Sequence, residues 1–591
     1  MKIERHRRGE RCLSGIGVSG GIALGPAHVV AGGGMDVPER HLPARAVADE
    51  QTRFGGAVEA ARDELTTLIA KAERLPGAAR DEMTFLLDAH LQMLTGSRLV
   101  RGVYRRIDDT RINAEAAVKA ELSAIADAFA AMDDTYLAQR AQDVRDVAGR
   151  LIRHLTEAPV DAFSGLAAGT VLIAQELSPA DIALLDPNRI GGFATEFGGP
   201  QGHTAIMARS LGLPAVVGIA ELSTRVKEGD SVIVDGASGS LTVAPKAETV
   251  ATAKRRRTTL RRERRALTKL RDMPAVTRDG VSVCLRANLE LPGELGAALE
   301  SGAQGIGLLR TEFLYMNRDD PPDADAQFAV LRDMVEGMGG SPVVARTLDI
   351  GTDKLAYALE ENVAAQVGTN PALGLRAIRL SLSDRQLLET QLEAMLRAGR
   401  YGSLQILLPM ITAPQEVRRT RAAMRRVARR LQRDGIAIAN PLPALGAMIE
   451  TPAAALSADR LCTECDFLSI GTNDLTMYTL AVDRGDEHVA HLYDPLHPAV
   501  LKLVQFTAEA ARRAGRPLTL CGEIAGEPRL APLLVGLGLT DLSMVPGNLP
   551  AVKRRIRAVD AAAAQELARR VMRETDPRHI ADHIDRFNDA L

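Results

Sequence analysis

From about residue 278 to the end of the chain, short apolar runs alternate with longer stretches of helical spacing. The runs lie at 281–287, 305–311, 342–348, 404–410, 444–450, 467–474, 518–523 and 541–546. An apolar run too short for a helix and bounded by turn residues reads as a strand buried on both faces. Eight of them, joined by helical crossovers over roughly 300 residues, predict a (β/α)8 TIM barrel. A doubly wound open sheet is the alternative. Between about 45 and 155 the texture is rich in Ala, Leu, Glu and Arg. Apolar residues recur at helical spacing there, as in Phe85, Leu86, His90, Leu91 and Leu94, which predicts several antiparallel helices. Strand signals flank this block, at 13–31 and again at 160–245, in Thr170-Val171-Leu172-Ile173-Ala174 and Ser231-Val232-Ile233-Val234-Asp235. The helical block is therefore expected to be inserted into, or appended to, a small α/β domain. The pattern divides the chain into a strand segment (1–44), a helical domain (45–155), the α/β domain (156–245), a linker helix (246–277) and the barrel domain (278–591).

Composition narrows the class. The chain has 591 residues, 46% hydrophobic and 25% charged, as in ordinary globular proteins. A net charge of −2, no Trp and 3% aromatics leave neither a global field for nucleic acid nor stacking platforms for bases. The basic run Lys254-Arg255-Arg256-Arg257, continued by Arg261-Arg262-Glu263-Arg264-Arg265, reads as a solvated connecting helix rather than a nucleic-acid patch. Five scattered cysteines point to reduced thiols and a cytoplasmic protein. No secretory h-region follows the charged N-terminus, and no run of about 18 apolar residues is present.

The polar residues that close the apolar runs form one chemical set. They are Arg310-Thr311-Glu312, Arg346-Thr347-Leu348-Asp349, Glu450-Thr451, Asn473-Asp474 and Cys521-Gly522-Glu523. In a barrel of this kind they converge at the C-terminal mouth. Arg310 and Arg346 can fork onto phosphate or carboxylate oxygens. Glu450 and Asp474 are hard oxygen ligands suited, with substrate oxygens, to Mg²⁺. Asn473 can donate to a phosphate oxygen, Arg484 can add positive charge, and Cys521 can give a proton if its thiol stays protonated. The set suits a small dianionic phosphate ester and phosphoryl transfer. Elsewhere, Gly198-Gly199-Pro200-Gln201-Gly202 leads into His203 and an apolar-periodic helix. Glycines permit tight turns, and a helix start offers N–H groups to phosphate, so His203 is a candidate nucleophile. Cys462-Thr463-Glu464-Cys465 lacks a second pair and is not read as a zinc site. His488, His491 and His497 are irregularly spaced and read as turn and packing residues, and Gly337-Met338-Gly339-Gly340 reads as a turn.

These residues resemble Enzyme I of the bacterial phosphoenolpyruvate-dependent sugar phosphotransferase system over nearly the whole chain. The motifs that carry the likeness are His203-Thr204-Ala205-Ile206-Met207-Ala208-Arg209, Gly307-Leu308-Leu309-Arg310-Thr311-Glu312, Arg346-Thr347-Leu348-Asp349, Met448-Ile449-Glu450-Thr451-Pro452, Ser469-Ile470-Gly471-Thr472-Asn473-Asp474 and Cys521-Gly522-Glu523. The resemblance implies that phosphoenolpyruvate and Mg²⁺ bind in the barrel, with Arg310, Arg346, Asn473 and Arg484 on substrate oxygens and Glu450 and Asp474 on the metal. It implies that His203 takes the phosphoryl group, that Cys521 protonates the pyruvate enolate, and that Ser178 faces the histidine. It further implies transfer to a histidine of the carrier HPr docked on the helical domain, and a homodimer formed through the barrel. One departure is Gln201-Gly202, where many members carry Thr-Ser or Ser before the histidine. A dikinase or phosphoenolpyruvate synthase would need an ATP-grasp domain, for which the segment before His203 is too short. The nitrogen-type variant carries an extra N-terminal sensory domain, and only about a dozen residues precede Gly15; a mainly regulatory relay stays open. An inactive carrier-binding scaffold is disfavoured because His203, Arg310 and Glu450 are all present.

Overall fold

The computed structural model describes residues 9–30, 37–72, 83, 87, 90–95, 98–130, 135–156, 166–177, 181, 185, 189–199, 203–315, 321–350, 372–483 and 488–591. The chain divides into two compact units, Met1–Glu263 and Arg264–Leu591.

The first unit is built on a mixed sheet in the order β1-β8-β7-β3-β4-β5-β6-β2. Its strands are β1 (Arg11–Ser14), β2 (Ile16–Ser19), β3 (Ile22–Val29), β4 (Thr170–Ala174), β5 (Ile190–Thr195), β6 (Ala215–Val217), β7 (Ser231–Asp235) and β8 (Ser240–Val243). The N-terminal strands pair with the later ones: β3 runs parallel to β4 and antiparallel to β7, and β2 runs antiparallel to β6. Helices α1 (Val47–Ala72), α2 (Arg98–Thr110), α3 (Ala114–Ala130) and α4 (Thr135–Leu155) are inserted between β3 and β4. The period-2 alternation of a strand explains why β4 is apolar throughout. Leu172 and Ala174 face the core shared with the helices, whereas Val171 and Ile173 face a second core against Val232 and Val234. The short helix α5 (His203–Leu211) buries Ala205, Met207 and Ala208 in the first of these cores.

Helix α6 (Ala247–Thr268) crosses the division between the units. It is anchored near its start, where Ala253 packs on Ile22 and Ile233 and Arg256 reaches Asp235 at 2.7 Å. Lys254, Arg255, Arg261 and Arg262 beyond are exposed.

In the second unit eight parallel strands close into a barrel, β9 (Cys284–Leu289), β10 (Ile306–Leu309), β11 (Val343–Arg346), β12 (Leu404–Leu408), β13 (Ala444–Ile449), β14 (Phe467–Ile470), β15 (Leu518–Leu520) and β16 (Asp541–Met544). Closure of β16 onto β9, with Asp541 opposite Cys284, excludes the open sheet. Each apolar run holds one strand. The first begins later than its run, because Val281–Val283 are used in a small hairpin with residues 275–277. Only from Cys284 onward is the chain free to pair with β16. No helix among the described residues is long and apolar enough to cross a membrane.

Candidate active site

Strand parity places the chemistry. On β11 Val343 and Ala345 pack outward against the helices, so Val344 and Arg346 turn into the barrel. On β13 Leu445, Ala447 and Ile449 pack outward, Met448 turns in, and the next inward position is Glu450. On β14 Leu468 and Ile470 pack outward and Phe467 turns in, which sets Ser469 inward as well. Cys521 follows β15 and joins Leu308, Val344, Leu407, Met448 and Phe467 inside the barrel. Arg346, Glu450 and Cys521 sit at or just beyond the C-terminal strand ends, the face where barrels carry their sites.

Arg346, 8% exposed, is the hub. Its guanidinium reaches Asp349 Oδ2 at 2.9 Å and Glu312 Oε1 at 3.1 Å. Asp349 is shared with Arg376 at 2.9 Å, and its backbone N–H donates to Glu312 Oε1 at 2.9 Å. Burial opposes the charge on Arg346, yet Glu312, Asp349, Glu450 and Asp474 around it hold its pKa above the usual guanidinium value. Burial likewise opposes the charge on Asp349, but Arg346 and Arg376 keep its carboxyl below the usual range. Capacity is left over: among the described residues Arg346 Nε, Arg376 Nε, Glu312 Oε2 and Thr472 Oγ1 are buried polar atoms without a hydrogen-bond partner. Buried atoms of that kind in a charged mouth call for a ligand or water. Arg310, just past β10, is half-exposed and pairs with Glu290.

Glu450 is 1% exposed and accepts the Met410 N–H at 2.5 Å. Met410 is held at φ 55°, a left-handed conformation uncommon outside glycine, at the end of β12. Burial, then the charges of Asp474 and Asp349, push the Glu450 carboxyl well above its usual pKa. Asp474 lies in the first turn of α7 (Thr472–Leu480). Glu450 and Asp474 thus repel each other, and hard oxygen donors of that kind are ones that a divalent cation relieves. No group of three or more His, Cys, Asp or Glu side chains placed to hold a metal ion occurs among the described residues. Asn473 spans the mouth: its amide donates to Glu523 Oε1 at 2.8 Å and accepts the Glu523 N–H at 3.0 Å, leaving one amide hydrogen for a ligand.

Cys521 is 5% exposed, and burial pushes its thiol up to about 11; the Ser469 hydrogen bond lessens that shift and the Glu450 charge adds to it. The thiol is therefore protonated at neutral pH. Gly522 beside it has no room for a side chain, since a Cβ there would lie 1.7 Å from Thr472 Oγ1.

In the first unit His203 opens α5. The approach turns through Gly198 at φ 120°. Thr204 Oγ1 donates to the Leu177 carbonyl at 3.0 Å, mooring the helix start to the segment after β4. Ser178, Gln201, Gly202 and Arg484 lie outside the described residues. The sequence reading gave no role to Arg376, Met410 or Ser469. Arg376 stands directly before the helix that begins at Ala377 and not at a strand end, and Met410 acts through its backbone. Ser469 did leave a signal, a lone hydroxyl at an inward position of an apolar strand.

Fold and mouth together define a barrel enzyme for a small, multiply anionic substrate, joined to a unit with a histidine at a helix start. Residues 264–561 match the PEP-binding domain of PEP-utilising enzymes, residues 14–140 their N-terminal domain and residues 166–239 their mobile domain. A phosphoenolpyruvate-protein phosphotransferase of Cupriavidus necator is 41% identical, with 96% of this chain and 98% of that protein aligned. Proteins of the same description from Geobacillus stearothermophilus (40% identical, 95% of each chain) and Staphylococcus carnosus (37%, 97% of this chain and 99% of that protein) are similar over the same extent. The chain belongs to the phosphoenolpyruvate-protein phosphotransferase family.

Proposed function

We propose that this chain moves the phosphoryl group of phosphoenolpyruvate onto His203 and then onto a histidine of an HPr-type carrier, releasing pyruvate. The observation that carries the reading is a buried thiol, Cys521, and a buried guanidinium, Arg346, at the C-terminal ends of strands of one closed barrel. Arg310, Arg346 and the free Asn473 amide hydrogen hold the substrate's phosphate and carboxylate oxygens, and Arg484 adds charge from the loop that follows. Glu450 and Asp474 are the residues that would hold Mg²⁺, which when bound neutralises charge on the substrate oxygens. His203 attacks phosphorus: an N–P bond forms, the bridging O–P bond breaks, and its electron pair leaves with the enolate. The Cys521 thiol gives its proton to C3 of the enolate, completing pyruvate, and the thiolate regains a proton from water. Ser178 supports the phosphohistidine, and the helical domain 45–155 docks the carrier. Helix α6 serves as the linker between the phosphohistidine domain (1–44 with 156–245) and the barrel domain (278–591), through which two copies associate. The protein works in the cytoplasm.

Incubation with labelled phosphoenolpyruvate and Mg²⁺ tests the reading. Wild type should carry an acid-labile, base-stable label that passes to added HPr. Absence of that label, or equal labelling of His203→Ala, would overturn it.

A further inference from the structure

Inside the barrel just below the mouth, Leu308, Val344, Leu407, Met448 and Phe467 pack around Cys521, with the hydrogen-bonded pair Asn288 and Ser543 on the β9–β16 side. Ser469 sits here, 1% exposed, on β14. A buried hydroxyl costs about 1–3 kcal/mol unless well partnered. Among the described residues its hydrogen-bond partner is the Cys521 sulfur at 3.2 Å. A neutral thiol is a weak acceptor, so the resting fold gains little from this serine over an alanine. The thiol hydrogen has its own acceptor, the Ile470 carbonyl at 3.5 Å, so the hydroxyl is the donor of the pair. The sulfur's backbone is fixed independently: Asn288 Nδ2 donates to the Cys521 carbonyl at 2.9 Å, and Ser543 Oγ donates to Asn288 Oδ1 at 2.5 Å.

The hydroxyl acquires a use once the sulfur loses its proton. Cys521 lies within the field of Glu450, which disfavours a second negative charge nearby. A hydrogen bond to an ionised acceptor is roughly twice as strong as a neutral one. We propose that Ser469 is a positioning residue for the Cys521 acid, its hydroxyl aiming the sulfur and holding the thiolate left after proton transfer to the enolate carbon. In that step the S–H bond breaks, the C3–H bond forms and the S–H electron pair stays on sulfur. Ser469 transfers no proton, and water later reprotonates the thiolate. This inference rests on the phosphoenolpyruvate reading above.

The test uses full-length protein with Mg²⁺ and two readouts. One is exchange of pyruvate methyl hydrogens with deuterated water; the other is single-turnover labelling of His203 by phosphoenolpyruvate. Ser469→Ala should slow exchange about tenfold or more, leave labelling within a few-fold and raise the pH at which Cys521 becomes alkylated. Ser469→Thr keeps the hydroxyl and should retain exchange within about threefold. The assignment is overturned if Ser469→Ala exchanges like wild type while Cys521→Ala does not exchange, and equally if both Ser469 variants lose exchange alike. Absence of His203 labelling in wild type would instead remove the reading on which it rests.

Discussion

At the barrel mouth nearly every charged group is tied to another. In α5, by contrast, the described ties run between single side chains and backbone carbonyls: Thr204 to Leu177 at 3.0 Å, Arg209 to Val18 at 3.4 Å and Ser19 to Ala208 at 3.2 Å. Arg346, Asp349, Arg376 and Glu312 form a linked set of ion pairs at 2.9–3.1 Å, centred on Arg346 at the end of β11. The donor site is thus organised before substrate arrives, as electrostatic stabilisation requires. The proposed acceptor, His203, lies on a nine-residue helix whose described buried residues are Ala205, Met207 and Ala208, with Leu211 partly buried beside them. In the proposed reaction the histidine meets two partners, whereas the mouth holds a departing enolate in one fixed field.

The largest way to break this comparison is to remove the acid. Cys521→Ala should slow pyruvate formation by roughly 10²–10⁴ while single-turnover labelling of His203 stays within a few-fold, since the P–O bond breaks before C3 is protonated. Parallel loss of both would show that the thiol serves binding and not proton transfer. The same thiol gives a pH prediction. Its pKa lies near 11, so the neutral form persists below that value and the thiolate appears as pH rises through it. At pH 8 roughly one sulfur in a thousand is ionised. Alkylation of Cys521, followed by mass spectrometry, should rise about tenfold per pH unit up to about 11. Exposed Cys12 of the first unit should be modified before it. A plateau below pH 9 would contradict the burial argument.

Arg346→Ala comes next. It removes a substrate donor, worth roughly 10²–10³ in labelling rate, and leaves Asp349 and Glu312 short of a buried partner, which destabilises the barrel by about 3–5 kcal/mol. Urea denaturation of the second unit reads the latter. Wild-type stability in this variant would mean that Arg376 alone compensates both carboxylates. Gly522→Ala is smaller. A methyl at that position must displace Thr472, costing about 1–3 kcal/mol, and its effect on exchange should exceed its effect on labelling. The reverse order would move Thr472 to the phosphate side of the mouth.

The barrel was legible because a buried parallel strand writes itself as an apolar run, and because polar residues at five of the eight run ends mark the mouth. Arg346, Glu450 and Cys521 follow from that pattern alone. The side chains that complete the mouth do not. Arg376 arrives from a loop, where no period constrains position. Met410 contributes a backbone N–H, to which the residue letter gives no clue. Asp349 and Glu312 were visible as polar strand-end residues, but their mutual pairing through Arg346 depends on three-dimensional closure. In the first unit the alternation of β4 exposed a two-faced strand, whereas its pairing with the N-terminal β3 joins residues more than 140 positions apart.

The finest probe of the comparison is Thr204→Val. The change keeps the side-chain shape and removes the hydroxyl that donates to the Leu177 carbonyl at 3.0 Å. The bond is partly buried, and its loss should cost about 0.5–1.5 kcal/mol. Because α5 is only nine residues long, that cost falls on the helix start and is not spread along the unit. Amide hydrogen exchange in the first turn of α5 should quicken by about threefold to tenfold, while exchange in β9–β16 stays unchanged. Deuterium incorporation into pyruvate, which needs the mouth and not the histidine, should be the same as in wild type. If it falls, the two regions are coupled in the resting protein, and the Thr204 tie is itself part of how the donor site is organised.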